Sequence, residues 1–289
     1  GAELSFDCAL APTTPQSTKT ITGARGYHGL AISAAGLIFG LDSSENLIQA
    51  SYEGVWSPFL SGLSAEQIAF APNGNLYMAG YDAILAVTPS AQVLTVNGEP
   101  ADRYWLRVGP DEMLYTTDIG DVRRVDPTTG AQQVVAELPA SGGFSYVHSF
   151  DWNRSFDRIY VGTIGGGIYT AALDASYQAT TPLEQWVPMG AESWIDGVAT
   201  DACGNVYAAN YGAAQLYKIT PDGSLSVYVD WSGAFEQYGH GVIFGNGVGG
   251  FREDALYLPQ PYNDNTVLEV VVGIPSRRFA GVVLNGSTE

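Results

Sequence analysis

Positive charge is what this sequence has least of. Lysine and arginine together number 12 in 289 residues against 30 aspartates and glutamates, a formal charge of −18. Such a chain offers little to neutralise a phosphate backbone, so nucleic acid is not an expected partner. Cysteine is scarce too: Cys8 and Cys203 permit one disulfide and no thiolate cluster for a metal. An acidic, lysine-poor chain with one possible bridge points to a secreted or periplasmic protein. No apolar run approaches the roughly 20 residues of a membrane-spanning helix, so no membrane span is expected. Helical periodicity is nearly absent as well, which leaves strands and turns to build the fold.

What the sequence does have is a repeat. Six segments share one phrase: a polar residue, a short apolar strand, a turn, and a second strand ending near Tyr or Phe. They begin at His28, Glu66, Tyr104, His148, Asp196 and His240, at intervals of 38, 38, 44, 48 and 44 residues. A period near 40 with several short strands per unit is the signature of propeller blades. Further strands fit the runs at 83–88, 121–126 and 215–220. These end in T-P-S, D-P-T-T-G and T-P-D-G, where Pro presets φ and Gly or Asp tolerates a tight bend. The expected fold is all-β: a single six-bladed β-propeller domain over 1–289 with a central channel and an N-terminal tail at 1–18. The last blade needs a fourth strand. The K-T-I-T-G segment at 19–23 is preferred over 279–284, which would close the ring with the N-terminal strand. The tail would then emerge beside the D-A-C-G-N turn, within reach of a Cys8–Cys203 disulfide.

The shared first position lies where the innermost strand of each blade enters the channel. It holds all three histidines of the chain, His28, His148 and His240, together with Asp196, Glu66 and Tyr104. Imidazoles and carboxylates converging in a concave site suit a divalent metal ion, zinc first, with calcium, iron or copper as alternatives. Asp196 or Glu66 would add a ligand or act as general base, and Tyr104 would donate a proton or orient a ligand. Tyr27, Trp105, Tyr146, Trp194 and Tyr238 lie within two residues of these positions and are expected to form an aromatic collar, or else to pack the loops. Three residues further along, Arg107 and Asp151 occupy equivalent places in neighbouring blades, where the other repeats have Ala or Ile. A structural ion pair is expected there, since a lone charge would be costly.

The segment I-D-G-V-A-T-D-A-C-G-N-V-Y-A-A-N-Y-G-A-A-Q-L-Y-K-I-T-P-D-G at 195–223 resembles the gluconolactonase and senescence-marker (regucalcin) family of six-bladed propellers. The resemblance implies that Asp196 is a ligand of a central divalent ion. At the positions where that family has a glutamate and two asparagines, this chain has His28, Tyr104 and His148. The phrases Y-H-G-L, V-H-S-F and G-H-G-V are similar to those of the peptidyl-α-hydroxyglycine α-amidating lyases, also six-bladed propellers. That resemblance implies a catalytic zinc on His28, His148 and His240. Together these readings imply an exported, metal-dependent enzyme of hydrolase or lyase type, a monomer acting on a small molecule or peptide. The alternative is a secreted propeller that binds a metal or ligand without turnover.

Overall fold

The computed structural model describes residues 6–21, 29–42, 44, 46–140, 146–232, 239–260 and 266–277, and the backbone of 282–283. Within these, six four-stranded antiparallel sheets surround a central channel. Five blades use consecutive strands. The first is Leu30–Ile32, Leu37–Leu41, Leu47–Ser51 and Ser57–Leu60; the second is Gln67–Phe70, Leu76–Ala79, Ile84–Val87 and Val93–Asn97. The third comprises Leu106–Val108, Leu114–Asp118, Asp121–Val125 and Gln132–Glu137; the fourth comprises Tyr146–Trp152, Arg158–Ile164, Gly167–Ala172 and Glu184–Pro188. The fifth comprises Ile195–Thr200, Val206–Asn210, Gln215–Ile219 and Leu225–Asp230.

The sixth blade is composite. Ile243–Phe244, Ala255–Gln260 and Thr266–Val271 come from the end of the chain, and the outermost strand is Ser17–Ile21. Lys19 lies opposite Glu269 in that pairing. The competing C-terminal segment goes elsewhere: Val282–Val283 runs parallel to Phe6–Asp7 in a separate two-stranded sheet.

Burial explains the sequence pattern. The second strand of the fifth blade and that of the sixth are buried at every position, being covered by neighbouring blades on both faces. Outer strands such as Val93–Asn97 and Leu225–Asp230 are largely exposed. In blades one to five the pairing of third and fourth strands carries a register shift, which twists the exposed edge away from flat docking.

The recurrent tyrosine of the second strand has a local reason. Its ring fills the space between blades while its hydroxyl reaches a polar side chain. Tyr115 donates to Asp111 at 3.1 Å, Tyr207 to Asp201 at 3.0 Å and Tyr257 to Glu269 at 2.6 Å. Buried phenols need such partners.

The Cys8–Cys203 disulfide joins the N-terminal segment to the turn between the first two strands of the fifth blade. Lys218 strengthens the attachment, its Nζ donating to the Pro12 carbonyl at 3.1 Å. No helix among the described residues is long and apolar enough to cross a membrane.

Candidate active site at the mouth of the channel

Repeat phase becomes geometry at the start of the inner strands. Glu66, Tyr104, His148, Asp196 and His240, from five different blades, line one small cavity together with Gln67 and Trp105. His28 lies outside the described residues, as do Tyr27 and Tyr238. The cavity measures about 10 Å³, room for one water molecule or a bare ion.

Asp196 is the hub. It is 4% exposed, and each carboxylate oxygen faces one imidazole: Oδ1 lies 3.2 Å from His148 Nδ1, and Oδ2 lies 3.0 Å from His240 Nδ1. A buried carboxylate is costly unless polar groups approach both oxygens, and the two Nδ1 atoms are the side-chain nitrogens placed to do so. An imidazole that turns Nδ1 to a carboxylate has Nε2 as its acceptor or ligand atom.

The inner strands can approach this closely because of glycine. A methyl group on Gly197 would come within 2.5 Å of the Val242 backbone nitrogen, and one on Gly29 within 2.8 Å of the Gln67 Cα. Gly29 and Gly197, which follow His28 and Asp196 in sequence, are therefore packing requirements.

Aromatic rings fix the imidazoles in place. Tyr104 stacks on His148 with centroids 4.5 Å apart and planes 15° from parallel, and Trp194 meets the same imidazole edge-on at 6.3 Å. Tyr211 leans over His240 at 4.3 Å, and Trp194 contacts Tyr211 at 5.3 Å. Tyr81 packs edge-on against Tyr104 at 5.7 Å and donates its hydroxyl to the Tyr104 oxygen.

Burial raises the Tyr104 pKa, with Asp102 and Glu66 adding to the rise and the Tyr81 hydrogen bond opposing it. Burial likewise raises that of Tyr81, followed by the charge of Glu66. Both phenols therefore carry their protons at neutral pH, and Tyr104 is a donor.

Of the expected collar, Trp194 is 39% exposed and stands at the rim. Tyr146 begins the inner strand of the fourth blade, near enough to Tyr104 to influence its ionisation. Trp105 is 1% exposed and forms wall rather than rim; its indole N–H donates to the Phe150 carbonyl at 2.8 Å. Tyr81 and Tyr211 were not anticipated. Both sit between a second and a third strand, and in an antiparallel blade that turn opens on the same face as the start of the first strand. Scanning those turns for aromatics would have found them.

Below this site the expected partner of Asp151 is replaced. Its Oδ1 receives Arg277, with Nη2 at 2.8 Å and Nε at 2.9 Å, and its Oδ2 accepts the Thr200 backbone N–H at 3.0 Å. Arg107 instead crosses the channel, donating to the Val242 carbonyl at 3.1 Å and lying over the Trp105 ring at 4.4 Å.

No protein-family model matches the sequence, and no curated protein matches it significantly. Solved structures do match. A gluconolactonase from Xanthomonas campestris superposes with a TM-score of 0.72 at 14% identity, over 89% of each chain. A calcium-binding regucalcin from Agrobacterium tumefaciens gives 0.71 at 14% identity, over 96% of this chain and 98% of that one. The chain is a six-bladed β-propeller of the gluconolactonase and regucalcin shape. A catalytically inactive virginiamycin B lyase from Staphylococcus aureus, solved with quinupristin, also matches this propeller. Its TM-score is 0.57 at 9% identity, over 88% of this chain and 99% of that one. At these identities the likeness is one of fold, and the chemistry must be argued from the side chains.

A metal ion sets its own demand on these donors. Among the described residues no three His, Cys, Asp or Glu side chains form a metal-holding group. The two imidazoles beside Asp196 are nitrogen donors of the type a zinc site uses. A third histidine ligand would have to be His28.

Proposed function

We propose that the channel mouth is the catalytic centre of a divalent-metal-dependent hydrolase or lyase acting on a small molecule or peptide. The observation that carries this reading is the placement of Asp196 between the Nδ1 atoms of His148 and His240. A carboxylate behind a histidine is the usual means of fixing its tautomer and raising its basicity toward a metal.

His148 and His240 would hold the ion through Nε2, with His28 as third ligand. Zinc is the first choice; imidazole donors also suit copper and iron, and suit calcium poorly. The ion would supply Lewis acidity toward a substrate oxygen. Asp196 orients both rings and balances positive charge that accumulates on them. Tyr104, kept protonated by burial, gives a proton to a leaving oxygen, while Glu66, lining the same cavity, accepts one. Trp194, Tyr211 and Tyr81 present an apolar rim to the substrate. The disulfide fits an oxidising compartment, and we place the protein outside the cytoplasm on that ground.

A second reading, metal or ligand binding without turnover, draws support from the narrowness of the cavity. One set of experiments separates the two. Protein purified without a metal-affinity tag should contain a divalent metal by elemental analysis, and His148→Ala should lower the content sharply while leaving circular dichroism unchanged. Undiminished stoichiometry in the variant would remove His148 from the ligand set. Turnover of lactones, aryl esters or α-hydroxyglycine peptides should be abolished by a chelator. Activity that survives chelation overturns the mechanism, and a metal-replete protein inert toward all three classes favours binding alone.

A further inference from the structure

The acidic excess of the chain gathers at the channel mouth. Glu66 and Asp196 line the upper cavity, and neither lysine nor arginine is among the described residues that do so. Asp102 belongs to the same corner. The Ala101 N–H donates to the Tyr81 carbonyl at 2.9 Å, and Asp102 and Glu66 both lie near enough to Tyr81 to oppose its ionisation. Asp82 follows Tyr81 in the same turn and is exposed. On the side of the fifth blade, Glu192 is exposed two residues before Trp194. Its carbonyl oxygen lies 2.6 Å from where a methyl group on Gly212 would stand, beside Tyr211.

Two arginines lie behind this corner, and both are engaged elsewhere. Arg103 is fully buried and donates to the Gly80 and Glu99 carbonyls at 3.3 and 2.6 Å and to the Asn97 side chain at 3.1 Å. Arg123 is held by Asp118 and Asp121, 2.8 Å from each. Arg25 lies outside the described residues.

Exposed aromatic surface surrounds the same opening. Tyr104 and His148 form a stacked pair, and a further ring meets each of them steeply: Tyr81 at 87° to Tyr104, and Trp194 at 72° to His148. Tyr81 is 40% exposed and Trp194 39%. Backbone hydrogen bonds anchor both. The Tyr211 N–H donates to the Trp194 carbonyl at 2.8 Å, the counterpart in the fifth blade of the Ala101–Tyr81 bond. The rings are thus held ready before any ligand arrives. An aromatic face carries negative potential, and carboxylates beside it act in the same direction.

We propose that the ligand of this mouth is an organic cation, a quaternary ammonium or alkylamine compound whose charged head rests against the Tyr81 and Trp194 rings in the field of Asp82, Asp102 and Glu192. The inference rests on the reading of the mouth as the ligand site, and it adds the charge of what enters. A neutral apolar guest uses the rings and gains nothing from the carboxylates. An anion is repelled on approach by a chain of formal charge −18. The cavity below, about 10 Å³, is too small for a trimethylammonium head, which therefore stays at the rim.

Choline and its uncharged isostere 3,3-dimethyl-1-butanol separate charge from shape. The full chain, freed of metal by a chelator, is titrated calorimetrically near pH 8, where ordinary imidazoles are neutral. Choline should bind about tenfold more tightly than the isostere, and butyrate should not bind. Choline affinity should fall about threefold to tenfold in Trp194→Ala and in Tyr81→Ala, the worth of one ring face toward a cation. Tyr81→Phe, which keeps the ring, should bind choline nearly as well as the natural chain. Asp102→Asn, close to it in shape, should weaken choline about threefold and leave the isostere unchanged, which keeps the test decisive if a ring variant does not fold. Equal affinity for choline and its isostere overturns the proposal, as does choline affinity that is unchanged in both ring-removing variants, or butyrate bound in preference to choline. Metal-free protein that binds choline, from a preparation that turns over nothing, keeps the proposal and removes the enzyme. Chelator-sensitive turnover without choline binding keeps the enzyme and removes the proposal.

Discussion

At the scale of single residues, the Asp151–Arg277 pair shows what a repeat reveals and what it hides. Phase placed Asp151 on the channel wall and marked it as needing a cation. The partner chosen from the neighbouring repeat was Arg107, yet the salt bridge at Asp151 is made by Arg277, from a segment that follows the last repeat. Nothing in repeat phase reports on a chain that returns across a mouth. Arg277 also lies over the Phe156 ring at 4.7 Å, so its position is fixed by packing as well as charge. Both side chains are at most 7% exposed. Removing one of them, as in Asp151→Ala, should cost about 3–5 kcal/mol by stranding the other charge. The double replacement Asp151→Leu with Arg277→Met should recover much of that loss. Strong coupling in a denaturant-melt double-mutant cycle is the expected result, and additive effects would show that the pair does not act as a unit. The same limit applies at the upper site. Phase assembled Asp196, His148 and His240 on one ring but could not show that the aspartate faces both imidazoles. That depends on how far each side chain reaches across the channel.

At the scale of elements, the inner strands were the most legible part of the chain and the loops the least. The polar residue followed by glycine in the D-G phrase marks where two inner strands nearly touch. Gly197→Ala must push against the Gly241 and Val242 backbone, which contacts that ideal methyl position at 2.5–2.7 Å. A cost of about 1–3 kcal/mol is expected from such overpacking. The displacement falls on the residue next to Asp196, so metal content should drop with stability. Unchanged stability and metal content would mean that the sixth blade yields freely. The Cys8–Cys203 crosslink spans 195 residues of sequence. Loss of that constraint on the unfolded chain should cost roughly 5 kcal/mol in the chain-entropy account. The Cys8→Ser, Cys203→Ser protein should therefore melt well below the oxidised one. Peptide mapping without reductant provides the direct check, and two alkylatable thiols in the native protein would refute the bridge.

At the scale of the whole molecule, the tyrosines that wedge the blades apart couple the fold to alkaline pH. Burial raises the pKa of Tyr115, Tyr207, Tyr228 and Tyr257, as it does at Tyr81 and Tyr104 by the channel. At Tyr52, burial and the hydrogen bond to Glu269 push the value up to about 12. In the unfolded chain each phenol loses its proton near pH 10. Between that pH and its own raised value, a native tyrosine holds a proton that the unfolded state has released. Stability must then fall as pH rises. The stabilisation is whole below about pH 10 and is lost progressively above it, through about 12 for Tyr52 and higher for the more deeply placed rings. Because the tyrosines recur in the interfaces between blades, the loss is spread around the propeller, and unfolding should remain a single transition instead of releasing one blade first. Thermal melts from pH 8 to 12, followed by circular dichroism and by tyrosinate absorbance, read both features. The melting temperature should hold until about pH 10 and then decline, with tyrosinate appearing in step with unfolding. Tyrosinate that forms near pH 10 while the sheets stay folded would show that these rings are open to solvent, and a flat melting temperature across the range would break the link between burial and stability.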